Sequence, residues 1–490
     1  MPPVTTYSFG PYRLEPGARR LLRDGEVVPL GDHQFNVLVH LVSHAGSVVS
    51  KDGLIETAWQ GVAVTDNSLA QAISGLRRTL GASPGGDAYI QTVARTGYRF
   101  AADVSRMAWR ESDETLDALL APHRAWLEGR AALETLAAGQ VALARQAFER
   151  VLETSPDYAP AHVGLANACA FRFEATRADE RPETDALARA VGHAGEACRL
   201  DAASGEAWAT RGFVLHRAGH REQALAASRR AVSLEPENWR HHLRLGLVSW
   251  GEERLGAAAR TLHLLPGIAL AHWLAATVYV ARQAFESAER ELDAGAAAQD
   301  GQSEGTERFG AVGLHWLRGL VRLHRGDPQA ARDAFERELS FEDSGHLYAR
   351  ECCANTWYAI AALDVRAGHN AEAARAIDEA LRRVAGHLPS LAIQMALPNS
   401  GDDAVTRASF DARIAGLSGG GEQVEAAIAV ALREALSGRS HGAAGLVQNA
   451  LATAPPGSAG WIVPVEPLLQ VSAHQDVWAR VLATLRNRAA

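Results

Sequence analysis

Lysine is nearly absent from this chain: all but one of the 49 basic residues are arginine, the exception being Lys51. A phosphate-binding loop of the form G-x-x-x-x-G-K-[ST] is thereby excluded, because its lysine must follow a glycine run and Lys51 follows Val49 and Ser50. Cysteine is scarce too. Cys169, Cys198, Cys352 and Cys353 lie in stretches of helical pattern, where small-residue packing rather than a disulfide framework is expected. No apolar run approaches the roughly 20 residues that a membrane-crossing helix needs. The longest, GIALAHWLAATVYVARQ, contains His272 and reads as a repeat helix. The start, MPPVTTYSFG, lacks the basic-then-apolar pattern of a secretory signal, so a cytoplasmic protein without membrane contact is expected.

A convergent acid, base and nucleophile set is missing as well. GASPG at 81–85 and GLSGG at 416–420 match G-x-S-x-G, but a nucleophile elbow needs a buried strand before and a helix after, and both strings sit in Gly/Ser-rich turns. His40 and His44 share a helix face without a third ligand nearby, and Cys352 and Cys353 are adjacent rather than spaced for one metal. No enzymatic activity, metal or cofactor is expected.

What the chain does contain is concentrated between residues 65 and 100: TDNSLAQAISGLRRTLG, a Gly/Pro-rich turn, then IQTVARTGYRF. Leu69, Ile73, Leu76 and Leu80 recur at the spacing that lays one apolar stripe along a helix. The opposite face carries Ser68, Gln71, Ala72, Gly75 and Arg78, low enough to enter the roughly 12 Å major groove of duplex DNA, with Arg77 beside it, suited to a phosphate. Asp66 or Asn67 can cap the helix. Tyr98 and Phe100 then alternate toward a core, while Arg95 and Thr96 sit at a hairpin tip that can reach phosphate or the minor groove. Arg99 either braces the hairpin or touches phosphate. Upstream, YSFGPYRLEP and ARRLLRDGEVVPL read as short antiparallel strands. Two helices follow, from about His33 to His44 and from Lys51 to Trp59, with Ser50 at the second N-cap.

The L…F.VL…L…G.VVS…L…W pattern of Leu30 to Trp59, the DNS…Q.IS.LRR.LG helix and I.TV…GYRF together resemble the OmpR/PhoB-type winged-helix output domain of bacterial transcription regulators, over residues 7–104. The resemblance implies Asp66 to Gly81 as the recognition helix, Val93 to Arg99 as the wing, and tandem binding of two protomers on double-stranded DNA. Relatives often carry arginine where this chain has Gly75, which leaves Gln71, able to pair two ways with adenine, as the best base reader. Such domains usually follow a phosphoaccepting receiver domain. Here too little chain lies upstream to hold one, so the switch is expected downstream.

Downstream, alanine, leucine and arginine dominate with a period near 34, which resembles tetratricopeptide helix pairs over most of residues 120–490. The clearest unit runs Trp208, Gly212, Leu215, Gly219, Ala224, Ala231, Pro236; Gly139, Ala144, Phe148, Pro156 and Gly319, Gly326, Ala331, Phe335 repeat parts of it. Seven to nine helix pairs are expected, closed by a capping helix from about Asp476 to Arg488. The expected fold is therefore mainly α: an α+β winged helix-turn-helix at 1–106, a linker at 107–119, and an all-α solenoid at 120–490 with a hinge at 397–423.

Charge follows this division. Up to residue 106 there are 10 Lys+Arg and 9 Asp+Glu, a net of +1; the rest carries 39 minus 48, or −9. DNA affinity would then rest on a local arginine cluster and on pairing of protomers. The function expected is a sequence-specific transcription regulator whose solenoid receives a signal by binding a protein, a peptide or a small molecule. The rival is an assembly scaffold whose winged helix docks protein rather than DNA.

Overall fold

The computed structural model describes residues 6–59, 66–82, 88–94, 96–107, 113–301, 311–397, 403–417 and 422–490. Alternating apolar residues between glycine turns build a five-stranded antiparallel sheet at the front. Its strands are β1 (Thr6–Phe9), β2 (Tyr12–Glu15), β3 (Arg20–Arg23) and β4 (Glu26–Val28), in the order β4-β3-β2-β1, with one further strand beyond β1. Helix α1 (Asp32–Ser43) follows, then β5 (Val48–Ser50), α2 (Lys51–Trp59) and α3 (Asp66–Leu80). The hairpin β6 (Ile90–Val93) and β7 (Gly97–Phe100) joins β5 in a three-stranded sheet, and β8 (Ser105–Met107) returns to pair antiparallel with β1. Strand β8 was not foreseen, because its pairing depends on a partner almost a hundred residues away.

Leu69, Ile73, Leu76 and Leu80 of α3 are buried against Phe35, Leu38, Leu41 and Leu54, as the stripe required. Phe9, Tyr12, Tyr89 and Phe100 meet largely edge to face, Phe9 and Phe100 with centroids 4.9 Å apart. Tyr12 also donates its hydroxyl to the Leu80 carbonyl at 2.9 Å, satisfying an acceptor that the end of α3 leaves open. Each fully buried side chain of this size contributes roughly 1.5–3 kcal/mol.

The remainder is a stack of antiparallel helix pairs: α4 (Asp113–Glu134) with α5 (Ala138–Thr154), α6 (Ala159–Thr176) with α7 (Thr184–Leu200), α8 (Gly205–Arg217) with α9 (Arg221–Leu234), and α10 (Trp239–Val248) with α11 (Glu252–Leu264). The stack continues through α12 (Ala269–Ala281) with α13 (Phe285–Asp300), α14 (Leu314–His324) with α15 (Pro328–Leu339), and α16 (Ala349–Ala367) with α17 (Asn370–Arg383). After α18 (Leu388–Gln394) and α19 (Asp403–Gly416), α20 (Glu422–Leu436) pairs with α21 (Ser440–Thr453), and α22 (Gln475–Ala489) ends the chain. Helix α4 begins inside the stretch read as linker, and α19 lies inside the stretch read as hinge. Residues 302–310 and both G-x-S-x-G serines, Ser83 and Ser418, fall outside the described residues. No described helix is long and apolar enough to cross a membrane.

The repeat glycines mark close crossings. A Cβ on Gly212 would stand 2.1 Å from Ser228 Oγ, and one on Gly319 would stand 2.3 Å from the Phe335 ring. The first helices of successive pairs pack on one another and form the inner layer. The coil is wound so tightly that it meets itself: Leu347 N–H donates to the Leu136 carbonyl at 2.8 Å, and Arg177 makes two 2.9 Å hydrogen bonds to Glu351. Glu174, its side chain wholly buried, lies at this seam between Arg177, Arg217 and the Tyr348 hydroxyl.

The end of the chain does more than cap. Helix α22 folds back onto α12, where Arg282 and Gln283 donate to the carbonyls of Ala489 and Leu482. Ahead of it, Val463 to Leu469 are all buried, in an unbroken run against the inner helices. Trp461 meets Trp273 edge-on, and Tyr358 donates to Glu466. This half of the inner face is filled by the chain itself.

Candidate nucleic-acid interface

Helix α3 presents its recognition face because its other side is committed to the core. Gln71, Ser74 and Arg78 are exposed with the solenoid in place, and Ser68 is half-buried. Three residues of the expected face are placed otherwise. Ala72 is 7% exposed and packs into the core, so it cannot line a groove. Gly75 faces α1: a Cβ there would stand 2.3 Å from Gln34 Nε2, the far end of a side chain that crosses the position. Arg77 is tied to the hairpin, its Nε donating to the Ile90 carbonyl at 2.9 Å and its guanidinium to Thr92 Oγ1 at 2.7 Å, with Tyr98 beneath. These bonds tie the helix to the hairpin. Ser74, overlooked in the sequence, belongs to the exposed row: it lies three residues after Gln71 and four before Arg78.

The wing is held from both sides. Gly97 passes so close to β5 that a Cβ would stand 1.9 Å from the Val49 carbonyl oxygen, which only glycine permits. Arg99 donates to Gln91 Oε1 across the hairpin at 2.7 Å, taking the bracing role of the two open to it. Thr96 is exposed at the tip. Arg95 lies outside the described residues, as do the side chains of Asp66 and Asn67, the expected caps of α3. Ser50 caps α2, accepting from Gly53 N–H at 3.1 Å.

The solenoid docks on another edge. Arg19 is sandwiched between the rings of Phe35, at 5.1 Å, and Trp126 of α4, at 5.4 Å. It also pairs with Asp32 and donates to Asn36. A continuous apolar cluster runs from Phe9, Leu14 and Phe100 to Trp239, Leu243 and Ile268. His33 stacks on Trp59 at 5.0 Å and bonds the Ala58 carbonyl; burial is the main cause that pushes its pKa down to about 4.

Known proteins match this unit. The family described as "Transcriptional regulatory protein, C terminal" matches residues 25–100. The chain is 36% identical over 92 residues to the cholera toxin homolog transcriptional activator of Vibrio parahaemolyticus, covering 18% of this chain and 32% of that one. It is 30% identical over 108 residues to the transcriptional activator CadC of Escherichia coli, covering 22% and 21%. The chain thus spans under a third of the length of either relative. Among solved structures, a tetratricopeptide repeat protein from Parabacteroides merdae is 12% identical, covers 60% of this chain and 99% of its own, and has a TM-score of 0.37. Residues 25–100 therefore belong to the OmpR/PhoB-type winged-helix DNA-binding domains, carried here in front of an all-α solenoid.

Proposed function

We propose that this chain regulates transcription by binding duplex DNA through α3 and the wing, and that the solenoid is the part that receives the signal. The observation that carries the reading is the row Gln71, Ser74, Arg78, which stays exposed while the solenoid grips another, Arg19-bearing edge. Gln71 offers the bidentate donor and acceptor that matches adenine, Arg78 a phosphate contact, and Ser68 and Thr96 shorter polar contacts at helix and tip. Docking that leaves the reading face open does not block DNA directly. Control then acts on orientation, and hence on how two protomers pair along DNA, with a signal shifting the population of docked and released units.

The test is selection from fragmented genomic DNA by the full-length protein at near-physiological salt. A repeated half-site is expected, lost on changing Gln71 and Arg78 together to Ala. No enrichment by a folded protein would remove the regulator reading and leave the docking scaffold.

A further inference from the structure

Between the front unit and the solenoid lies a cavity of about 50 Å³, lined by Asp32 and His33 on one side and by Arg130, Glu206, Arg240 and Arg244 on the other. A water needs roughly 10–15 Å³ measured in this way, so the space suits a few waters or a single carboxylate or phosphate group. Clefts between domains are preferred places for small ligands.

The arginines are not equally compensated. Arg240 is bonded to Glu134 at 2.8 Å, and Arg130 lies 3.9 Å from Glu206. Arg244 has no carboxylate within ion-pair distance among the described residues. It donates to Thr210 Oγ1 at 3.1 Å and Asn167 Oδ1 at 2.7 Å, while Asn167 in turn donates to Thr210 and to the Val163 carbonyl. Three successive inner helices, α6, α8 and α10, thus fix one guanidinium in place. Two of its five N–H groups are used, and the rest remain as a planar fork of the kind that pairs with carboxylate or phosphate oxygens. Burial lowers the pKa of both Arg240 and Arg244 to about 10, against the opposing pull of Glu206 on both and of Glu134 on Arg240. Beside them His241, bonded through Nε2 to Glu235 at 3.0 Å, keeps Nδ1 buried without a partner. The acidic groups at the cavity are engaged, Asp32 by Arg19 and Glu206 by Arg130, and limit the charge that fits to a single anionic group.

We propose that this cleft binds a small oxyanion, one carboxylate or phosphate group, on the fork of Arg244 with the charge of Arg240 beside it, and that occupancy ties the front unit to the solenoid. The inference rests on the solenoid being the signal-receiving part; it adds the chemical class of the signal. Because Asp32 and His33 close the cavity, a bound anion reports directly to the start of α1.

The experiment is calorimetric titration of the full-length protein with inorganic phosphate and with acetate at constant ionic strength, chloride as reference, alongside hydrogen exchange of residues 32–43. Saturable binding of one probe is expected, weakened at least tenfold in Arg244→Gln and tightened several-fold in Glu206→Gln, with slower exchange in α1 when bound. Preference for phosphate or for acetate identifies the headgroup. Absence of saturable binding, or equal affinity in a folded Arg244→Gln protein, overturns the site. Should that variant fail to fold, unchanged or weaker affinity in Glu206→Gln overturns it instead, since misfolding does not tighten binding. Binding without slower exchange overturns the tie to the front unit. No DNA is present, so this result and that of the DNA selection fail separately.

Discussion

Arg77 and Arg78 are neighbours held differently. One is anchored to Ile90 and Thr92 through two of its five N–H groups, the other is exposed. Changing Arg78 to Ala is therefore expected to weaken DNA binding about equally across sequences and to lower the salt dependence by about one phosphate contact, read by anisotropy titrations at several salt concentrations. Changing Gln71 to Ala should cost about 1–3 kcal/mol on the preferred site and little elsewhere. Gly75 gives a third case. Alanine is the better helix former by about 1 kcal/mol, and the atom its Cβ meets, Gln34 Nε2, is the far end of a flexible side chain that can swing aside, so Gly75→Ala should stabilise the front unit, and by more when Gln34 is also Ala. Additive denaturation midpoints in that double-mutant cycle would show that the crossing does not matter. Arg19 belongs to the same scale. Held between two rings, it should on replacement by Ala raise hydrogen exchange in α1 while leaving Gln71 and Arg78 as exposed as before.

The elements themselves were largely legible in the residues. A stripe of Leu69, Ile73, Leu76 and Leu80 can bury only one face of α3, and the Tyr98/Phe100 alternation can belong only to a half-buried strand. Rotation within the polar face was harder. Ala72 and Gly75 are small, and smallness is compatible both with a groove and with a crossing side chain; only Gln34 decides between them. The burial of Val463 to Leu469 was not legible at all, since a short apolar run says nothing of which helices receive it. Its placement has a titratable consequence. Burial lifts the Glu466 pKa from 4.5 to about 7. The folded state thus favours the protonated acid; this contribution is fully present below pH 4.5 and is lost as pH rises through 7. Glu466→Gln should therefore raise the thermal midpoint by roughly 2–5 °C at pH 8 and leave it nearly unchanged at pH 4.5. The docking edge titrates the other way. His33 in α1 and His123 in α4 are both held near pKa 4, chiefly by burial, against an ordinary 6.5. Neutral imidazoles suit the docked state, so their contribution is present above pH 6.5 and is lost as pH falls toward 4. Exchange of the α1 amides, divided by their intrinsic exchange rate at each pH, should rise between pH 7.5 and 5, and less so in a His33→Gln, His123→Gln protein.

At the scale of the whole molecule, two occupants divide the inner face of the solenoid: the Arg19 edge of the front unit toward α4 and α10, and the 463–469 run against α12, α14 and α16. A peptide bound at either place would have to displace its occupant, whereas a small anion need displace only water. The seam adds a further constraint. Arg177→Ala would leave Glu174 buried with one cation fewer and open the two hydrogen bonds to Glu351, costing about 2 kcal/mol. Calorimetry should then show the melting transition lowered and broadened, with earlier loss of α4 and α5. An ordinary stack of repeats behaves as a spring, lengthening by a small change of pitch at every pair and fraying from its ends. Here the coil is soldered to itself at Leu136 and Leu347, and its last turn is pinned beneath Arg282 and Gln283. Elastic stretching is thereby suppressed, and a pull on one pair moves its neighbours as a stiff washer would. Torque delivered by twisted DNA is then expected to load the Arg19 contact together with the apolar cluster that joins the winged unit to the solenoid.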